Sequence, residues 1–346
     1  MLIATFGPSS AFTHWCVNAL NTISSIVLGE FDYVSVSTIQ DFKIALASRK
    51  SKHVHLYTNF PDRGLIEAFQ KSHIPFLAIV EDPDDITGFL MRDLSCSWMH
   101  ALRLTNLSFA TIADLCSSPT ALRLSRSNRL TLGRFVEQVI NHLGLEVDQE
   151  QFDNILERFL PGGGAMSHVE DALLRQIPSA MPIGHKPDLP DLEQSIIKLL
   201  HSGMRYDNDG KIPQTFRWPS ELLIGHEGVD HVLRQPIEML GPARFLVYGP
   251  YLHLPAGDWE ITLPLEITEN LSGNWIDVDV INEIVLHAES FKLPVSGRMA
   301  LILKFSISES RVPVNIRIFQ RQGAIEGKLQ IGDILIRNLA DETAPF

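Results

Sequence analysis

The first chemistry suggested by the residue types is the holding of a phosphate. An apolar run, Leu2–Phe6, stops at Gly7-Pro8-Ser9-Ser10-Ala11-Phe12-Thr13, and a helical pattern begins near Thr13 and runs to about Ile26. A small-residue loop between a strand and a helix turns free N–H groups and the positive end of the helix dipole toward an anion. Ser9, Ser10 and Thr13 would add hydroxyl donors. The loop has neither the GxxxxGK[ST] spacing nor the lysine of a Walker loop. Arg123, Arg126, Arg129 and Arg134 form the one basic run that could hold an anionic group, and a solvated helix entrance accounts for them equally well. For sugar recognition, which pairs aromatic faces with polar edges, the candidates are Tyr251, Trp259, Trp275 and Trp218. Core anchoring is the competing role for Trp259 and Trp275. Cys16, Cys96 and Cys116 have no CxxC spacing and no histidines arranged around them, so buried thiols are expected and no metal site.

Holding these residues in place requires a scaffold, and the chain supplies two kinds. Segments 34–36, 54–57 and 75–80 read as short strands, separated by helices over 39–48 and 63–72. Such alternation builds a mostly parallel sheet with helices on both faces. A helical pattern over 86–117 follows. Next comes an amphipathic helix over 130–143, whose Leu132, Phe135, Val136, Val139, Ile140 and Leu143 share a face and which Gly144 stops. A helix over 148–159 opens on a capping box of Asp148 and Gln151. Residues 176–220 carry Pro178, Pro182, Pro187, Pro190, Pro213 and Pro219, a linker composition interrupted by one helix over 191–201. Beyond it, 245–248, 259–263, 275–280, 299–305, 314–319 and 329–336 read as strands, many alternating apolar and polar residues, as in an antiparallel β-sandwich. The reading is α/β followed by all-β: an α/β domain over 1–175, a Pro-rich linker with one helix over 176–215, and a β-sandwich over 216–340.

Several segments, taken in order, resemble the sulfotransferase family, whose fold is P-loop-like and whose donor is 3′-phosphoadenosine 5′-phosphosulfate. The family's first loop reads roughly P-K-S-G-T-T-W, and Trp15 stands at its tryptophan. Tyr57-Thr58-Asn59-Phe60-Pro61 stands at its K-T-H-x-P motif, and Ile79-Val80-Glu81-Asp82-Pro83-Asp84-Asp85-Ile86 at its buried strand and R-x-P-x-D. His142-Leu143-Gly144-Leu145, with the helix that follows, stands at its F-L-G-L and acidic helix. The resemblance spans about residues 1–165. It implies that Ser10 replaces the lysine that holds the 5′ phosphosulfate, Asn59 the histidine base, Tyr57 the lysine of the second motif, and Glu81 the arginine on the 3′-phosphate. An amide takes no proton at neutral pH, and a carboxylate repels phosphate. The expectation is a degenerate domain with no catalytic residue and no cofactor. Asp82, Asp84 and Asp85 also suit the cap of a following helix, and His14 and His55 suit ordinary surface or core positions.

The stretch from Tyr248 to Ile261, with Tyr248-Gly249-Pro250-Tyr251 and Leu254-Pro255-Ala256-Gly257-Asp258-Trp259, resembles a signature of carbohydrate-binding-like β-sandwich modules. Those modules are attached to bacterial glycosyltransferases and polysaccharide-synthesis proteins, and the resemblance spans about residues 216–340. Together the two resemblances imply a non-catalytic protein of bacterial polysaccharide synthesis or modification, partnered by a glycan or by polysaccharide-synthesis proteins. The alternatives are an active sulfotransferase or other nucleotide-donor transferase using 3′-phosphoadenosine 5′-phosphosulfate, and a protein-binding adaptor without a small-molecule ligand. A homo-oligomer is compatible with all three. The formal net charge of -12 argues against a general nucleic-acid or anionic-membrane binder. No stretch approaches the ~20 apolar residues of a membrane span, and the start of the chain has no charged n-region, so a cytoplasmic location is expected.

Overall fold

The computed structural model describes residues 1–182, 189–207, 209–226, 228 and 231–340, so Pro187 of the linker lies outside the described residues. The chain divides into two compact units, Met1–Pro187 with Asn208–Lys211, and Asp188–Asp207 with Ile212–Phe346. In the first, β1 (Leu2–Phe6), α1 (Ala11–Val27), β2 (Asp32–Ser35), α2 (Ile39–Ala47), β3 (Val54–Thr58), α3 (Arg63–Ser72) and β4 (Phe76–Val80) alternate as the apolar pattern expects. α1 starts two residues before Thr13 because the Ser10 hydroxyl accepts from the Thr13 N–H at 3.1 Å and caps it. The helical stretch over 86–117 is two helices, α4 (Pro83–Asp93) and α5 (Trp98–Cys116). Asp82 caps α4, with Pro83 in its first turn, and Ser97 caps α5. The pattern does not reveal β5 (Ala121–Ser125), which pairs parallel with β4. α6 (Leu132–Leu143) ends on Gly144 at φ 65, a left-handed cap that glycine adopts without strain. α7 (Gln149–Phe159) opens on the Asp148–Gln151 capping box, and a further helix, α8 (Val169–Gln176), follows.

The five strands run parallel in the order β2-β3-β1-β4-β5. Parallel crossovers are right-handed. The move from β1 to β2 therefore puts α1 on one face, and the return moves put α2, α3, α4 and α5 on the other. Burial follows this division. α1 joins α6, α7 and α8 in an apolar core where Trp15 packs against Phe135 and Phe159, while Phe6, Phe69 and Phe76 meet edge to face elsewhere in the unit. The reversal of direction between β1 and β4 is a topological switch point, the crevice where open α/β sheets bind ligands.

The second unit contains α9 (Asp191–His201), β6 (Thr215–Trp218), β7 (Ile237–Glu238), β8 (Arg244–Val247), β9 (Pro250–Leu252), β10 (Gly257–Thr268), β11 (Trp275–Asn282), β12 (Ile284–Lys292), β13 (Gly297–Ile307), β14 (Val314–Gln320), β15 (Lys328–Ile331) and β16 (Ile334–Asn338). All of its strand pairs are antiparallel. One sheet has the order β6-β16-β10-β15-β7 with β13 on β10, and the other the order β12-β11-β14-β8 with β9 on β14. Together they form the expected sandwich. On β10, Trp259, Ile261, Leu263, Leu265 and Ile267 alternate onto the buried face. The stretch over 329–336 is two strands, broken at Gly332-Asp333. β12, which the apolar pattern does not reveal, is an edge strand joined to β11 by a tight turn at Glu283 (φ 59). Its Glu289 sits opposite Val278, on the inward side, where His287 Nε2 lies 3.2 Å from its carboxylate. Among the described residues no helix is long and apolar enough to cross a membrane.

Candidate functional site

The loop after β1 is closed by its own side chains. Ser10 and Thr13 are fully buried, and the Ser10 hydroxyl also donates to Thr13 Oγ1 at 3.0 Å. Ser9 accepts from Asn59 Nδ2 at 2.9 Å, so the amide at the position of the family's base is tied to the loop. A Cβ on Gly7 would lie 2.7 Å from Ile79 Cβ, so glycine is what lets β1 and β4 approach this closely. Phe12 is 2% exposed and Tyr57 9%; both fill the space above the strand ends, and burial pushes the Tyr57 hydroxyl pKa up. Ser10 and Thr13 are thereby corrected as phosphate-loop donors: their hydroxyls serve the helix cap and do not face an open site. His55 is likewise interior, with Thr5 Oγ1 3.0 Å from its Nε2 and Asn21 Oδ1 2.7 Å from its Nδ1.

Burial pushes the His55 pKa down from 6.5 to about 4. A base with a lowered native pKa binds its proton more readily in the unfolded chain, so stability is full above pH 6.5 and is lost as pH falls toward 4. The expected loss is on the order of 3 kcal/mol. Urea unfolding followed across this range should show His55→Gln with a clearly flatter pH dependence than the native chain.

Glu81, at the end of β4, is buried with a pKa raised from 4.5 to about 8. The cause is burial first, reinforced by Asp85 and Asp82 and opposed by Ser10 and Arg126. Its Oε2 has no hydrogen-bond partner among the described residues. At pH 7, below that value, Glu81 is held mostly in its protonated form. The sequence argument that a carboxylate here repels phosphate needs this correction: the position is blocked by occupied volume and lost donors, with its own charge removed.

Arg126 lies beside it and is buried. Its Nε and Nη2 bond to the two oxygens of Glu170 at 2.8 and 2.6 Å, Nη2 also donates to the Met181 carbonyl, and Nη1 lies 4.0 Å from Asp85. A guanidinium held bidentately is a structural tie, which corrects its reading as an anion-patch residue. Arg123 stays within β5, packed against the backbone at Gly210. Arg129 is different: it is exposed, adopts φ 48 after the turn Arg126–Asn128, and lines an open cleft of ≈ 490 Å³ floored by Phe12 and Phe135. The sequence gives no sign that His168, at the start of α8, faces the same cleft.

In the sandwich, Trp259 is fully enclosed and its Nε1–H donates to the Pro255 carbonyl at 3.0 Å, so it is a core anchor and is withdrawn as a glycan contact. Trp275 is 38% exposed and Tyr251 36% exposed. They do not converge. Tyr251 N–H bonds to Asn315 at one end of β14, while Trp275 pairs with the other end, near Arg321. Six residue steps along β14, from Asn315 to Arg321, separate them, about 20 Å. Trp275 instead shares the outer sheet face with Asp277, Asp279, Arg317, Phe319 and Phe245. Arg317 bonds bidentately to Asp279 and stands 5.4 Å over the Phe245 ring. Sequence parity carries this signal. Trp259 has the phase of Ile261 and Leu263, whereas Trp275 has that of Asp277 and Asp279.

No family model and no curated protein matches the chain. Among solved structures, it is similar to a mouse sulfotransferase complexed with PAP at 15% identity and TM-score 0.36, over 60% of this chain and 86% of that one. It is also similar to a putative sugar binding protein from Bacteroides thetaiotaomicron at 10% identity and TM-score 0.20, over 27% of this chain and 66% of that one. A third similarity is to the C-terminal CBM6 of a laminarinase from Zobellia galactanivorans at 11% identity and TM-score 0.19, over 36% and 90%.

Proposed function

We propose that the N-terminal unit is a non-catalytic, sulfotransferase-like domain whose donor-phosphate site has closed, and that the β-sandwich binds a glycan, the whole protein serving bacterial polysaccharide synthesis or modification. The observation that supports this reading is the closed switch point. Ser10 and Thr13 hydroxyls are locked into the α1 cap, Asn59 holds Ser9, and a buried neutral acid, Glu81, stands at the end of β4. A doubly phosphorylated donor needs several free cationic or N–H donors, and Arg126 already holds Glu170. On the sandwich, Trp275, Phe245 and Phe319 offer apolar ring surface among paired Asp and Arg side chains, the mixture that suits pyranose faces and hydroxyls.

The test is thermal denaturation of the full chain with adenosine 3′,5′-bisphosphate and, separately, with an acidic and a neutral polysaccharide. A ligand at a hundred times its dissociation constant stabilises by about 2.7 kcal/mol, enough to raise Tm visibly. The expected outcome is no shift with the bisphosphate and a shift with one of the polysaccharides. A saturable shift with the bisphosphate would sink the proposal.

A further inference from the structure

We infer that the cleft beside the end of β5 is a binding site for a small monocarboxylate on a single-ring or single-sugar body, with Arg129 holding the carboxylate. The inference goes beyond the closed donor loop, of whose residues Phe12 alone lines the cleft. At ≈ 490 Å³ the cleft lies within the roughly 300–1,000 Å³ range of small-molecule sites. Phe12, Phe135 and Val169 give it an apolar floor, all of them buried.

The charged side chains at the cleft decide the ligand's sign. Both Glu170 oxygens are engaged by Arg126, and an Asp171 oxygen accepts the His168 N–H at 3.2 Å. The acids therefore have internal partners. The exposed Arg129 guanidinium makes no hydrogen bond or ion pair to a side chain among the described residues, and the exposed His168 stands at the same rim. What the cleft offers a ligand is donors, so the ligand must bring acceptors. Its charge is limited as well: with Arg126 neutralised by Glu170, and with Asp171 nearby, one arginine balances one negative charge. A polyphosphate would meet surplus acid. A singly charged carboxylate matches the planar fork of Arg129, while the floor accepts an apolar ring or the C–H face of a sugar.

Saturation-transfer NMR and calorimetric titration of the full chain with benzoate, D-glucuronate, D-glucose and adenosine 3′,5′-bisphosphate, each up to millimolar concentration, test this. Binding of benzoate, of glucuronate or of both supports the site and shows which body it prefers, while glucose binds at least about tenfold more weakly than the better acid. Arg129→Gln keeps the fold, since the side chain is exposed, and weakens the acid about tenfold or more. Arg298→Gln, on the sandwich, changes nothing. Failure of both acids to bind, equal binding by Arg129→Gln, or tighter binding of adenosine 3′,5′-bisphosphate than of either acid overturns the inference. The bisphosphate arm also reads the closed donor loop independently.

Discussion

Glu81→Gln raises the stability of the N-terminal unit at pH 8 to 9 and leaves it nearly unchanged near pH 4.5. The native acid has its pKa raised from 4.5 to about 8 by burial, so the folded chain holds a proton that the unfolded chain releases. Where the folded state binds more protons, stability falls as pH rises. Its contribution is complete below pH 4.5 and is lost progressively up to about pH 8. Integrated over that window, the loss is on the order of 5 kcal/mol. Glutamine keeps the shape and cannot ionise, so it removes the loss. Chemical unfolding at several pH values checks the result; parallel pH curves for the two proteins would mean that Glu81 is ionised and solvated in the native state. The sign is opposite to that of His55, which destabilises on acidification, so the N-terminal unit is squeezed from both directions.

Trp259→Ala and Trp275→Ala separate a core anchor from a surface ring. Trp259 is fully enclosed, packs edge to face on Phe216 and holds Pro255 through its indole N–H. Removing it leaves a large cavity and an unpartnered carbonyl, and should lower the stability of the sandwich by about 3–5 kcal/mol. Trp275→Ala should change stability by less than about 1 kcal/mol, and should weaken polysaccharide binding if the outer sheet face carries it. Calorimetry and a binding titration on both variants give the answer. Similar losses of Tm in the two would contradict the burial assignment.

The alternation of short apolar strands with helices made the α/β half readable, and the period-two pattern did the same for β10, β11, β13 and β14. What escaped was local or cooperative. β5 carries Arg123 in the middle of Ala121–Ser125 and offers only Leu122 and Leu124 as a signal. β12 is an edge strand, so its inward face is not uniformly apolar and carries His287 and Glu289. The split between α4 and α5 depends on a cap at Ser97 inside an otherwise continuous helical pattern. At the site, the loop residues were identifiable by type, but their closure was not. Whether Ser10 faces a ligand or Thr13 depends on backbone direction, and whether Glu81 is charged depends on how much protein surrounds it.

The edge at β12 has a bearing on how the protein behaves at high concentration. One edge of the nine-residue β12 pairs with β11, and its outer edge, which pairs with no strand among the described residues, invites a strand from another chain to dock. Any such strand would have to pack over the inward-facing Glu289 and strip water from a carboxylate that rests only on the imidazole of His287, 3.2 Å away. One acid on the wrong side of a strand thus discourages fibrillar stacking, and Glu289→Val should make concentrated solutions turn cloudy on standing.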